Sequence, residues 1–132
     1  MATLLTLKSV HDERGMLTVL DNIDESLPFP VKRIFYIQKA TDSRGGHRHY
    51  HTQHAVICIV GSCKVTVNDG KSESTYQLNS PSQCLIMETS DWHTMHSFSK
   101  DAILLALAST VYDPTDYIYS PYEKKVTADD TV

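Results

Sequence analysis

The segment Arg44-Gly45-Gly46-His47-Arg48-His49-Tyr50-His51-Thr52-Gln53-His54 runs into the apolar stretch Ala55–Val60 and stops at Gly61. Side chains of an extended strand alternate between its two faces, so His47 and His49 fall side by side on one face. After a turn, His54 opens a second strand, and the unbroken apolar run behind it has the pattern of a buried one. Further along, Trp92-His93-Thr94-Met95-His96 supplies another pair. Packing alone does not call for two imidazoles on one face, flanked by a glycine pair and an arginine. Imidazole titrates near pH 6.5, which suits such a pair either to proton transfer or to metal ligation. His11, His51 and His96 read as surface or internally satisfied histidines.

Outward from this segment the chain reads as short strands with turn chemistry between them. The runs are Leu4–Val10, Leu17–Asp21, Arg33–Gln38, Ala55–Val60, Cys63–Asn68, Ser74–Leu78, Cys84–Met87, Thr94–Phe98 and Ala102–Ala108. Many short strands at this spacing predict an all-β sandwich or barrel. Asn68-Asp69-Gly70 and Gly61-Ser62 offer the left-handed backbone that tight hairpins need, and Asp12-Glu13-Arg14-Gly15 is a further turn. Leu27-Pro28-Phe29-Pro30 is held extended by its prolines. No window of helical length has an amphipathic period, although a helical turn near Pro114–Tyr119 is possible.

The 132 residues suit one domain, and a chain near 150 residues buries roughly 68–70% of its unfolded surface without needing a disulfide or metal staple. We expect one domain over residues 1–122, and a polar, mobile tail over 123–132. A net charge of −4 with twelve dispersed basic residues gives no electrostatic reason to bind nucleic acid. Cys58, Cys63 and Cys84 lack CxxC spacing and read as reduced thiols. No secretory signal is evident, and no apolar stretch reaches the ~18 residues a membrane span needs. The expected setting is the cytoplasm, away from any membrane.

His47-x-His49, four residues, His54, six residues, Gly61 resembles the first cupin motif, with His54 where many cupins have glutamate, and His93 stands where the second motif has its histidine. The resemblance implies a small antiparallel β-barrel, or jelly roll. A narrower likeness spans roughly Leu7 to Tyr122: the chain resembles the sugar-nucleotide 3,4-ketoisomerases that act on dTDP-4-keto-6-deoxyglucose. The matching segments are Asp12–Leu17, Pro28–Ile37, Arg44–His49, Gly61–Cys63, Trp92–His96, Leu107–Ser109 and Tyr112–Ile118.

That resemblance implies a homodimer with exchanged N-terminal strands and a cofactor-free, metal-independent tautomerisation inside each barrel, serving biosynthesis of an unusual deoxy or amino sugar for a surface glycan. His47 is implied as the base that moves a proton between C3 and C4, with His49 orienting the sugar or sharing the proton traffic. Arg33 and Arg44 are implied to hold the dTDP-linked keto-deoxysugar, as bidentate guanidinium geometry allows. Phe35, His54 and His93 are expected to line the substrate site, and Arg14 with His93 resemble the residues of the type whose product has the galacto configuration. A hydrogen beside a ketone is acidic, so a base of near-neutral pKa forms an enediol without redox chemistry if donors stabilise the oxyanion.

Two positions differ from this family's usual pattern. Phe35 stands where members commonly have the first of two tyrosines, a candidate proton relay, and His54 replaces a common glutamine. With His47, His49 and His93, His54 completes a possible four-histidine site for a divalent transition metal. The competing readings are therefore a metal-dependent cupin enzyme, and a non-enzymatic module that binds sugar nucleotides.

Overall fold

The computed structural model describes residues 1–123. Its strands are β1 (Thr3–Thr6), β2 (Lys8–Asp12), β3 (Gly15–Val19), β4 (Arg33–Gln38), β5 (Arg44–His49), β6 (His54–Val60), β7 (Cys63–Asn68), β8 (Glu73–Leu78), β9 (Gln83–Met87), β10 (Trp92–His96), β11 (Ile103–Ala108) and β12 (Tyr117–Ile118). Helical structure amounts to α1 (Ile23–Ser26) and a 3-10 turn at Pro114–Asp116, the latter close to the turn the sequence suggested. The tail expected over 123–132 lies, apart from Glu123, outside the described residues. Among those residues no helix is long and apolar enough to cross a membrane.

Two five-stranded sheets, β1-β9-β6-β11-β4 and β12-β5-β10-β7-β8, form an antiparallel jelly roll of the cupin type, and among the described residues β2 pairs only with β3. The main core lies between the sheets. Val56, Cys58, Leu85, Met87 and Leu104 of the first meet Val65, Val67, Leu78 and Met95 of the second. The first sheet is covered on its other face as well, where Ala55, Ile57, Ile86 and Leu107 pack against Leu7, Leu27 and Phe29. Burial on both faces explains why Ala55–Cys58 reads as continuous apolar residues without alternation, whereas Ile59 and Val60 at the end of the strand are exposed, at 41% and 40%. Cys58, Cys63 and Cys84 are free and buried, as expected.

Several boundaries differ from the sequence expectation; Leu17–Asp21 is found as Gly15–Val19, where it pairs with β2 across the Asp12–Gly15 turn. Leu4–Val10 divides into β1 and β2 because Leu7 turns inward, its N–H donating to the Ser82 carbonyl at 2.7 Å and its side chain joining the outer core. The strand expected at Thr94–Phe98 begins two residues earlier, after a turn in which the Asp91 N–H donates to Glu88. It ends at His96 because Ser97 adopts the left-handed region, φ 54°. The hairpin at Asn68-Asp69-Gly70 forms as expected, with Gly70 at φ 91° and Asp69 Oδ1 accepting from the N–H groups of Lys71 and Ser72.

Candidate active site

Strand β5 brings the HxH pair into register with the later histidine. His47 lies directly opposite His93 of β10, and the register shifts between His93 and Thr94, so Gly45 pairs with Thr94. The two glycines make this approach possible. Gly45 and Gly46 have φ of +89° and +77°, and a Cβ on Gly45 would lie 2.8 Å from the His93 carbonyl oxygen. Any other residue at position 45 would force β5 away from β10.

The result is a cluster of rings on the inner wall. His47 is 4.8 Å from His49 and 5.0 Å from His93 between ring centroids, and His54, at the start of β6 on the facing sheet, is 4.7 Å from His49. Tyr117 of β12 pairs with His49 in the sheet and sets its ring 4.7 Å from His47 and 4.9 Å from His49. These residues line a cavity of about 230 Å³ between the sheets, closed elsewhere by Phe35, Ile37, Val56, Met87, Met95 and Ala106.

Hydrogen bonds fix the tautomers of two imidazoles. His93 Nδ1 is 3.0 Å from the Asp91 carbonyl oxygen, which can only accept, so Nδ1 carries the proton and Nε2 is left with its lone pair. His49 Nδ1 lies 2.9 Å from Asp116 Oδ2 and donates to it, which leaves His49 Nε2 buried and without a partner. Asp116 is itself tied down: its carboxylate accepts from the Thr52 hydroxyl and from the His51 N–H at 2.7 Å. Burial pushes the Asp116 carboxyl up, but these hydrogen bonds outweigh it and hold the group below its ordinary range.

The histidines are held neutral. Burial, with repulsion from a neighbouring imidazole, pushes His47 down to about 4, and burial takes His93 down to about 4. His54 is pushed down to about 2 by burial and by its imidazole neighbours, with the Arg33 charge adding to the effect. Burial lowers His49 as well, against the opposing pull of Asp116. Neutral imidazoles that face a common cavity are equipped to accept a proton from carbon.

Of the residues expected from sequence, His47, His49, His54, His93 and Phe35 line the one cavity, and Arg44 stands exposed at its edge. Arg33 is half-buried beside it, its guanidinium 5.5 Å from the Phe35 ring centroid and 5.7 Å from that of Tyr112, with Nε unpartnered. Arg14 is not brought there: it sits in the β2–β3 turn, 87% exposed, paired with Asp12 at 2.7 Å. The four histidines divide as three and one. Ligand nitrogens of His47, His49 and His93 lie within 4.8 Å of one another, and His54 is outside that group. Sequence reasoning gave no role to Asp116, Thr52 or Tyr117. The matching segment Tyr112–Ile118 contained two of them, but a link across 67 residues leaves no local pattern.

The family described as FdtA: WxcM-like, C-terminal, matches residues 1–127. The chain is 35% identical over 127 residues to the TDP-4-oxo-6-deoxy-alpha-D-glucose-3,4-oxoisomerase of Aneurinibacillus thermoaerophilus, a match covering 93% of this chain and 91% of that one. It superposes with a TM-score of 0.84 on QdtA, a sugar 3,4-ketoisomerase from Thermoanaerobacterium thermosaccharolyticum solved in complex with TDP, at 36% identity over 90% of this chain and 88% of QdtA. The fold alone is shared with the rmlC epimerase of Mycobacterium tuberculosis, at 18% identity and a TM-score of 0.75 over 88% of this chain and 66% of that one. A jelly roll that gathers neutral histidines around a sugar-sized cavity, and that matches these relatives over nearly its whole length, belongs to the FdtA family of 3,4-ketoisomerases.

Proposed function

We propose that the substrate is a dTDP-linked 4-keto-6-deoxyhexose, that its sugar ring enters the histidine cavity, and that His47 is the base. The neutral His47 imidazole takes the hydrogen at C3 as a proton, an enediol forms, and the same group returns a proton to C4 to leave the 3-keto sugar. His49, its Nε2 aimed by the Asp116 contact, orients the sugar hydroxyls, and His54, His93 and Phe35 complete the wall around the ring. Arg33 and Arg44 hold the nucleotide diphosphate outside the cavity.

The observation that carries this reading is the cavity itself, on whose wall His47, His49 and His93 converge and where the buried His49 Nε2 has no partner among the described residues. Incubation of the purified protein with dTDP-4-keto-6-deoxyglucose, followed by NMR, tests it. The expected product is the 3-keto sugar; return of unchanged substrate would leave a binding module.

The reading extends to a homodimer. β2 is exposed along all five residues, and Val10, Met16 and Leu17 are 49%, 63% and 61% exposed on a hairpin that pairs with no other strand among the described residues. Apolar side chains on an unsupported hairpin are suited to a second copy of the chain. β1 closes on β9 within its own sheet, so the hairpin is the N-terminal segment available for exchange. It would carry Arg14 toward the partner's cavity, where Arg14 with His93 favours the galacto product. The setting proposed is the cytoplasm, in biosynthesis of a deoxy or amino sugar.

We further propose that the reaction runs without a metal. The closeness of the His47, His49 and His93 nitrogens favours a second reading, in which they hold a divalent transition metal that polarises the sugar carbonyl. A ligated nitrogen has no lone pair left for the C3 proton, so His47 cannot serve both readings.

A further inference from the structure

Moving a ketone from C4 to C3 requires four proton transfers, two at carbon and two at oxygen. The histidines account for carbon. At oxygen, a group must give a proton to O4 as the enediol forms and take one from O3 as it collapses. Arginine does not lose its proton, so Arg33 and Arg44 can polarise but cannot shuttle. His93 and His49 have their N–H groups committed to Asp91 and Asp116 and present bare nitrogens. His54 lines the cavity as a neutral imidazole, which can polarise a carbonyl but is a weaker acid than a phenol and so the poorer carrier of a proton. Phe35 lines the cavity with no hydroxyl at all. Two hydroxyl-bearing residues border the cavity, Tyr36 and Tyr117; Tyr36 is 63% exposed, whereas Tyr117 is half-buried against both histidines of the HxH pair.

We propose that Tyr117 is a catalytic residue, the hydroxyl that carries the proton between the two sugar oxygens. The inference rests on the ketoisomerase reading with His47 as base. In the first half-reaction the C3–H bond breaks, its proton goes to His47, and its electron pair becomes the C3=C4 bond. The carbonyl π pair at C4 then takes the proton of the Tyr117 hydroxyl. In the second, the phenolate takes the proton of the O3 hydroxyl, the O–H pair forms the C3=O bond, and the C3=C4 pair takes the proton from His47 at C4. Both side chains return to their starting state. A phenol suits the task because it is acidic enough to protonate an enolate oxygen and, as phenolate, basic enough to deprotonate an enediol.

The test compares Tyr117→Phe with the double variant Tyr117→Phe/Phe35→Tyr, which returns a hydroxyl to the cavity from β4. Tyr117→Phe removes one oxygen and keeps both ring contacts; TDP binding by calorimetry and circular dichroism establish that it is folded. The expected result is a kcat reduced by about 100-fold or more at little-changed KM, of which the double variant recovers about tenfold or more. A single variant within about tenfold of wild type, or a loss that Phe35→Tyr leaves untouched, would overturn the proposal. Failure of the base assignment is seen separately: it appears as His47→Asn protein that still exchanges the C3 hydrogen with D2O, whereas the Tyr117 comparison is made with His47 in place.

Discussion

His49 and Asp116 lie 67 residues apart in sequence and share a buried hydrogen bond of 2.9 Å between Nδ1 and Oδ2. The carboxylate decides which imidazole nitrogen carries the proton and leaves the other directed at the cavity. Asp116→Asn keeps the volume but presents an amide that can meet His49 with either an oxygen or an N–H, so the tautomer is no longer set. We expect kcat to fall by about 10–100-fold with a smaller change in KM, and the nitrogen-15 shifts of the His49 ring to report a mixed tautomer. Unchanged kinetics with an unchanged ring spectrum would show that Asp116 serves only the fold.

His47→Asn should abolish isomerisation and leave the protein folded, because the amide still hydrogen-bonds but accepts no proton near neutral pH. His49→Asn should be impaired less. Turnover by His47→Asn within about tenfold of wild type would remove His47 as the base.

Stability should fall with acid before the carboxylates titrate. His47 and His93 are each pushed from the ordinary 6.5 to about 4, so between these values the unfolded chain binds more protons than the folded one. Stability therefore rises with pH through that window and is lost as pH falls through it, by roughly 3 kcal/mol for the buried His93 alone. Urea midpoints at pH 7.5, 5.5 and 4.5 measure this, and His93→Asn should flatten the slope. Asp116 acts lower on the scale: its depressed folded pKa stabilises above the unfolded value near 3.9, and that contribution disappears as pH falls further. A midpoint constant down to pH 4.5 would contradict neutral burial of the histidines.

Metal content separates the two readings of the histidine cluster. We expect substoichiometric zinc, nickel or iron by elemental analysis, and isomerisation that survives dialysis against a chelator. One tightly held metal per chain, with activity lost on removal and restored on addition, would establish the metal-dependent reading instead.

The β2–β3 hairpin should mediate dimerisation. Leu17→Asp sets a charge on a side chain that is 61% exposed in the single chain, which costs little there but a great deal in an apolar interface. Sedimentation velocity should show a wild-type dimer and a variant shifted to monomer. A wild-type monomer would remove both the dimer and the delivery of Arg14 from a partner.

Most of the strands and the pairing of imidazoles on β5 were legible along the chain, although β3 lies two residues earlier than expected and β12 falls where a helical turn was expected. Period two puts His47 beside His49, and the apolar residues Ala55–Cys58 after His54 mark the part of β6 buried on both faces, because both features are properties of a single strand. The ends of β10 and the division of Leu4–Val10 were not legible, since they depend on the left-handed turn at Ser97 and on where Leu7 finds cover. Which distant groups complete the site depends on how the strands pack. His47 meets His93 beside a register shift that Gly45 permits, His49 gains its tautomer from Asp116, and Tyr117 sets its ring against His47 in the cavity that Phe35 also lines. Such partners are set by the pairing of β5 with β10 and β12, and strand pairing is a long-range relation that no window of sequence records.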